Sequence, residues 1–254
     1  MGSALIRGFL NSSLVSKNSI IASDLDSKKL KRLKEETGIR VTSNNCELVK
    51  KSDIVFIAVE PKAVAYVLGE IKKFADKKLI VSIAAGISTK FIEKRLKNSR
   101  VVRIMPNAPA TVQQMAAGYC LGKKAIKKDA EIIEKLLNSI GVAYLVKERY
   151  IDTVTAISGS GPTYFYMIID ALTSTGIKAG LSRDIALKLA AQTAKGAGEM
   201  ILKTGKSPQE LINMVCTPGG ITIEAIKVLK KEKVEDSFKK AVKAAIKRSK
   251  ELSR

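Results

Sequence analysis

No histidine and no tryptophan occur in this sequence of 254 residues, and cysteine is held to three positions. The lack of histidine excludes the most, because Ser-His-Asp and Cys-His mechanisms and every imidazole-ligated metal site become impossible. Cys46, Cys120 and Cys216 stand apart, are odd in number and never share a C-x-x-C spacing. They read as small core or loop residues in a reducing compartment, not as disulfides or thiolate ligands. Long apolar runs are missing as well: the longest, Leu79 to Ile87, is far short of the ~20 residues that cross a bilayer. The apolar start carries neither a basic leader nor an A-x-A cleavage pattern. The expectation is a soluble, cytoplasmic protein with no membrane partner and no metal. Its chemistry must rest on hydroxyls, carboxylates, amines, backbone dipoles or a borrowed cofactor.

Acidic residues are also scarce, 24 against 45 basic ones, for a net charge of +21. Such an excess attracts anionic partners. Yet the lysines recur along helical repeats such as Lys239, Lys240, Lys243 and Lys247, and aromatics make up only 5%. Platforms for stacking bases are therefore absent, and no nucleic acid is expected as a partner. With 46% hydrophobic residues the chain can build a sizeable core. Its length suits one large domain or two small ones.

The first half alternates between two periodicities. Residues 3–14 are apolar at helical spacing through Ala4, Leu5, Phe9 and Leu10, and residues 19–23 form a short β run ending at Asp24. Lys28 to Thr37 reads as a helix closed by Gly38. Further strands are expected at 39–42, 53–59, 79–83, 101–104 and 143–146. A helical turn is expected near Cys46 to Lys50, and helices from Pro61, over 89–96 and over 127–140. Apolar β runs alternating with helices predict a parallel sheet covered on both faces. From Glu148 onward the pattern is helical: a long helix from Pro162 to Ile177, then 182–202, 222–230 and 235–250. Ser207-Pro-Gln-Glu210 is a capping box with proline at the first helical position. The expected architecture is an α/β, Rossmann-like domain over residues 1–147 and an all-α domain over 148–254.

Doubly wound sheets bind ligands at the carboxyl ends of their strands. Those ends are Ala22-Ser23-Asp24, Ala58-Val59-Glu60-Pro61 and Ala84-Ala85-Gly86. An acid after the second strand suits a ribose hydroxyl pair. Small residues at 84–86 either let a flat ring approach the backbone or allow tight helix–sheet packing. The glycine-rich turn that normally opens such a fold is not present. The chain begins at Met1-Gly2, already helical, with no preceding strand and no first two glycines. The expectation is that Met1 matches an internal methionine, and that the functional protein carries about ten more residues upstream, including a strand.

These residues together resemble the pyrroline-5-carboxylate reductases. The matching segments are Met1-Gly-Ser-Ala-Leu5, Ala58-Val-Glu-Pro61, Ser82-Ile-Ala-Ala-Gly86, Arg103-Ile-Met-Pro-Asn107 and Ser158-Gly-Ser-Gly-Pro162. The most specific is Val215-Cys-Thr-Pro-Gly-Gly-Ile-Thr222, similar to a V-x-S/T-P-G-G-x-T signature. The resemblance implies reduction of 1-pyrroline-5-carboxylate to L-proline with NADPH or NADH. It also implies a Rossmann domain followed by a helical dimerisation domain, in a homodimer or a larger assembly of dimers. Carried over by position, the cofactor would meet Met1, Gly2, Ser23, Asp24, Asn45 (at its adenosine portion), residues 58–61, residues 84–86 and Asn107. Substrate would meet Gly219, Gly220, Ile221 and Thr222, with Thr222 as the catalytic hydroxyl. The departures are Glu60 where lysine is usual, Cys216-Thr217 for a T-S or S-S pair, and Ile221 for Thr or Ala.

A cyclic imine needs a hydride at carbon and a proton at nitrogen. The cofactor brings the hydride, and water can protonate the imine before binding, so no histidine is required. Gly219-Gly220 would turn the chain to place Thr222 in the first turn of a helix, whose free amides suit a carboxylate. On spacing alone, Pro-Gly-Gly-x-Thr is equally a plain loop and helix cap. Two other functions share this outline. One is a related imine or 3-hydroxy acid dehydrogenase using a catalytic lysine. The other is a non-catalytic dimeric binding protein, suggested by the missing first strand.

Overall fold

The computed structural model describes residues 1–253. The chain opens with helix α1 (Gly2–Asn11), which stops where the Ser12 hydroxyl donates to the Phe9 carbonyl and Ser13 takes a positive φ. Strand β1 (Ile21–Ser23) leads to α2 (Ser27–Thr37). The Asp26 carboxylate caps α2 by accepting from the Lys28 and Lys29 amides, and Gly38 closes it in the left-handed conformation. Next come β2 (Arg40–Thr42), α3 (Asn45–Lys50), β3 (Ile54–Ile57) and α4 (Pro61–Ile71), with proline in the first turn of α4. Strand β4 (Leu79–Ser82) is followed by α5 (Thr89–Arg95), β5 (Arg100–Met105) and β6 (Met115–Leu121). Helix α6 (Lys127–Asn138) and β7 (Gly141–Leu145) complete the sheet region.

Five strands pair in the order β3-β4-β5-β6-β7, and β1 pairs with β2 in a separate two-stranded ribbon. All ladders are parallel except β5–β6. The fully parallel sheet expected from the sequence is thus corrected by β6, which returns against β5 through the short 108–112 turn. Alternation along the strands builds two cores. Leu79, Val81, Val102 and Ile104 pack with Leu5 and Phe9 of α1 and with Ile133 and Leu137 of α6. Val55, Ile57, Ile80 and Val101 pack on the other face with Val64, Leu68 and Ile71 of α4 and Ile92 of α5. Each aliphatic side chain so buried contributes roughly 1.5–3 kcal/mol.

After β7, α7 (Ile151–Val154) runs into a wide π-type turn at 155–159. Then follow α8 (Gly161–Lys178), α9 (Arg183–Thr204), α10 (Pro208–Val215), α11 (Ile221–Lys231) and α12 (Val234–Leu252). The chain divides into two compact units, Met1–Ser160 with the residues from Ala245 onward, and Gly161–Ala244. Residues 148–160 are counted with the first unit because they are anchored to its sheet. Ile151 and Ala156 are fully buried, and Glu148 bonds to Thr89 and Arg103.

The second unit holds the α8–α9 hairpin, closed by Gly180 at positive φ, with Gly176 packed on Ala186. Tyr164 of α8 meets Phe238 of α12 edge-on at 6.4 Å. Large apolar side chains such as Phe165, Met167, Leu189 and Leu202 stay exposed on these helices. Among the described residues, no helix is long and apolar enough to cross a membrane, and no His/Cys/Asp/Glu group could hold a metal.

Asp129 generates the first prediction. Its carboxylate, 1% exposed, accepts from the Ile126 amide at the start of α6 and from Arg100 at 2.7 Å. Asp129→Ala should cost about 2–4 kcal/mol, read from the urea midpoint; a change below about 0.5 kcal/mol would deny this pair its role. Cys120, on β6, generates the second. Burial pushes its thiol pKa up to about 12, with Glu148 adding to the shift and Arg103 opposing it. A raised pKa keeps the thiol protonated at pH 8, so a thiol reagent should label Cys120 only after denaturation. Labelling of Cys120 in the native protein would contradict that picture.

Candidate functional site

The parallel strands β3 and β4 end level with one another, Ile57 pairing with Ser82, while β5 pairs Arg103 with Ser82 and runs two residues further, to Met105. The segments that leave these strands therefore emerge along one edge of the sheet. On the first, Ala58, Val59, Glu60 and Pro61 are all exposed. On the second, Ala84 and Gly86 are buried and Ala85 alone is exposed. The N-terminal end of α1 reaches the same edge, since a Cβ on Gly2 would stand 3.1 Å from the Ala58 Cβ. Helix α1 has no side-chain cap and no acidic residue in its first turn. Helix starts of this kind can hold an anion such as a pyrophosphate. A larger side chain than glycine at position 2 would push this helix end off Ala58. The residues present fit a dinucleotide.

Ser23 and Asp24 end β1, in the two-stranded ribbon. Asp24 is exposed and its Oδ1 accepts from the Asp26 amide at 2.9 Å. The N-terminal ends of α2 and α4 lie within electrostatic reach of each other. The Glu60 carboxyl is held below the usual range chiefly by its 2.9 Å pair with Lys62, with Lys29 of α2 adding to the effect. The pair with Lys62 neutralises the carboxylate that stands where the resemblance expects a lysine. Asn45 is placed differently. Its Nδ2 donates to Glu70, the penultimate residue of α4, so its side chain is engaged away from the Pro61 end. Asn107 is buried and bridges backbone groups, donating to the Ser158 carbonyl and accepting from the Ala116 amide, each at 3.0 Å. An open cleft of about 700 Å³ lies at the opposite end of α1 between Arg7, Ser13 and Thr37, and none of the expected site residues lines it.

In the second unit, Thr217-Pro218-Gly219-Gly220 forms a turn closed by the Gly220 amide donating to the Thr217 carbonyl at 3.0 Å. Pro218 takes the second position and Gly219 the third at φ +72, the pattern of a type II turn. Gly220 is required by the turn itself, since a Cβ there would meet Thr217 Oγ1 at 2.5 Å. Gly220 caps α11 without a side-chain bond, leaving the first-turn amides unpartnered by any cap. Thr222 is the second helical residue, and Ile221 beside it is 92% exposed. The turn thus delivers a hydroxyl and a set of free amides at one helix end.

Sequence reasoning did not anticipate Glu148, Thr89 and Arg103, whose side chains meet beside the 84–86 segment. No local spacing signals a contact between residues so far apart in the chain.

Comparison with known proteins agrees with this layout. The family described as Pyrroline-5-carboxylate reductase dimerisation matches residues 148–252, and the one described as NADP oxidoreductase coenzyme F420-dependent matches residues 1–86. The chain is 40% identical to the pyrroline-5-carboxylate reductase of Methanosarcina acetivorans, over all of this chain and 95% of that protein. It is 38% identical to the Arabidopsis thaliana reductase, over all of this chain and 92% of the relative. The crystal structure of Plasmodium falciparum pyrroline carboxylate reductase with NADP bound superposes with a TM-score of 0.91 at 33% identity, covering 100% of this chain and 95% of that one. A Coxiella burnetii pyrroline-5-carboxylate reductase gives 0.91 at 34% identity, covering 99% and 94%. With 40% identity over its whole length and the same fold throughout, the chain belongs to the pyrroline-5-carboxylate reductase family.

Proposed function

We infer that this protein reduces 1-pyrroline-5-carboxylate to L-proline with NAD(P)H, the last step of proline biosynthesis. The observation that carries this reading is the pairing, on one chain, of a dinucleotide-type strand edge with the uncapped start of α11 behind Pro218-Gly219-Gly220. When bound, the cofactor supplies the hydride. Everything else falls to the chain.

The leading amides of α1, at Met1 and Gly2, take the pyrophosphate. Ser23 and Asp24 meet the ribose, while Asn45, whose Nδ2 donates to Glu70, would reach the adenosine only by releasing that bond. Residues 58–61 and 84–86 line the remainder, with Ala85 the exposed small residue of its segment. Asn107 acts by holding β6 and the 155–159 turn in place. At α11 the free first-turn amides of Ile221 and Thr222 donate to the substrate carboxylate. The Thr222 hydroxyl accepts from the ring N–H of the protonated imine, while Gly219 and Gly220 keep the approach clear. The substrate arrives with its proton, so the protein needs no acid of its own. The exposed apolar faces of α8 and α9 are buried in a homodimer, or in a larger assembly built from such dimers.

The direct test mixes purified protein, the cyclic imine and NADPH or NADH, and follows loss of reduced nicotinamide together with proline formed. Cofactor binding without turnover would instead support a non-catalytic dimeric binding protein. Thr222→Ala should lower kcat/KM for the imine about tenfold while the melting temperature holds; unchanged kinetics would remove Thr222 from the mechanism. Asp24→Ser should raise the NADPH-to-NADH ratio of kcat/KM severalfold, because a carboxylate repels a 2′-phosphate. An unaltered ratio would show that Asp24 does not read that position.

A further inference from the structure

The segment joining β4 to α5 carries Ala84, Ala85 and Gly86, and it is pinned from two sides. On one side the Glu148 carboxylate receives three donors. The Thr89 amide donates to Oε1 at 2.7 Å, the Thr89 hydroxyl to Oε2 at 2.6 Å, and Arg103 Nη1 to Oε1 at 3.4 Å. Thr89 is the first residue of α5, so a carboxylate distant in sequence caps that helix alongside Ser88, which accepts from the Phe91 amide. Arg103 is almost wholly buried on β5, the neighbour of β4. Its guanidinium needs an anion there.

On the other side Gly86 stands at φ +72 with the Leu252 carbonyl against it. A Cβ at position 86 would lie 2.4 Å from that oxygen. The last turn of α12 is itself tied down, since the Ser249 and Ser253 hydroxyls both donate to Asp152 Oδ1, at 2.7 and 3.0 Å. Glu148 and Asp152 sit four residues apart in one short helical stretch. A single piece of chain therefore bears on this segment twice, at Thr89 directly and at Gly86 through the end of α12. Ala85, immediately before the Gly86 anchor, is the one exposed residue of the 84–89 segment.

We propose that Glu148 is a positioning residue for the nicotinamide cofactor: through Thr89 and Arg103 it fixes the start of α5 and the Ala84–Gly86 backbone against which the cofactor rests. The proposal rests on the reading above that this segment lines the cofactor. Removing the carboxylate strips three donors of their shared acceptor, and the segment relaxes towards the cofactor side, where Ala85 is uncovered. The effect falls on cofactor binding and leaves imine binding, assigned to α11, as it was.

Four variants of the protein test this. The readouts are the dissociation constant for NADPH measured without imine, KM for each substrate, and the melting temperature. Glu148→Gln should weaken NADPH binding about tenfold, with KM for the imine unchanged, and Glu148→Asp should recover part of the loss. NADPH affinity equal to wild type, or both KM values rising together, overturns the positioning role. Thr89→Val removes only the hydroxyl contact and provides the same readout if Glu148→Gln does not fold. Its expected loss is about threefold, and unchanged affinity in Thr89→Val also counts against the role. Ala85→Val separates the two levels of the argument. If it leaves NADPH affinity intact, the segment does not line the cofactor and the proposal falls with that reading. If it weakens NADPH while Glu148→Gln does not, only the role of Glu148 is lost.

Discussion

Strand β4 is the constraint on which the first unit depends. Its four residues are buried, with Leu79 and Val81 facing the α1–α6 layer and Ile80 the α4–α5 layer. A strand that is apolar on both faces can persist only between two layers of helices, with a strand on each side. Here β3 and β5 supply the ladders in register. That register brings the β3 and β4 exits level beside β5, and the edge they form carries the segments proposed to line the cofactor. The β1–β2 ribbon is different. It is not paired to the larger sheet, and β1 and β3 each leave one edge without a strand partner among the described residues. Its link to the larger sheet's helices runs through side chains instead, notably the Arg7–Glu36 pair between α1 and α2, which Arg32 shares.

What the sequence made legible was local. The Asp26 cap and the Gly38 stop of α2 follow from signals within one turn of chain. The same holds for the Ser207–Glu210 capping box and for the Pro-Gly-Gly turn that places Thr222 at the second position of α11. The features that escaped depend on partners far along the chain. Strand β6 reads Met115-Ala-Ala-Gly-Tyr-Cys-Leu121, where small residues mask the β signal, and its strand character comes from lying between β5 and β7. Gly118 is small because Val154 of α7 presses on it, with a Cβ there only 2.8 Å from a Val154 methyl. Gly86 teaches the same lesson about the site. Room for a flat ring and tight internal packing both explain a glycine at that position. The Leu252 carbonyl decides for packing, since it fills the very direction a Cβ would take.

The second unit shows why its assembly is legible even from one copy. Helices α8 and α9 are long, yet α8 buries only Gly161 and Thr173, and α9 only Ala186 and Ala190. Their larger apolar side chains face outward. At roughly 25 cal/mol per Å², such surface is a strong drive to associate, and monomers rarely leave so much of it uncovered. The dimerisation family that matches residues 148–252 agrees that this surface belongs inside an oligomer.

A chain without histidine still has to manage a reaction that moves a proton, and the way it does so follows from where charge is fixed. The start of α11 offers backbone amides and one hydroxyl, none of which changes charge between acid and mildly alkaline pH. Partial positive charge at a helix end binds a carboxylate at any such pH. A neutral hydroxyl oxygen can accept from a protonated ring nitrogen without itself being consumed. The one buried thiol near the sheet is held neutral by its pKa of about 12. Glu60 is pulled the other way by Lys62 and stays ionised. The site therefore keeps one electrostatic state, and the proton is chosen by the substrate, whose imine nitrogen is the group that titrates. On the proposed reading, selection acts through shape and dipoles, and the protonated imine is the form that would donate to Thr222. The absence that excludes so many mechanisms is consistent with a reduction in which the acid arrives already attached to the substrate.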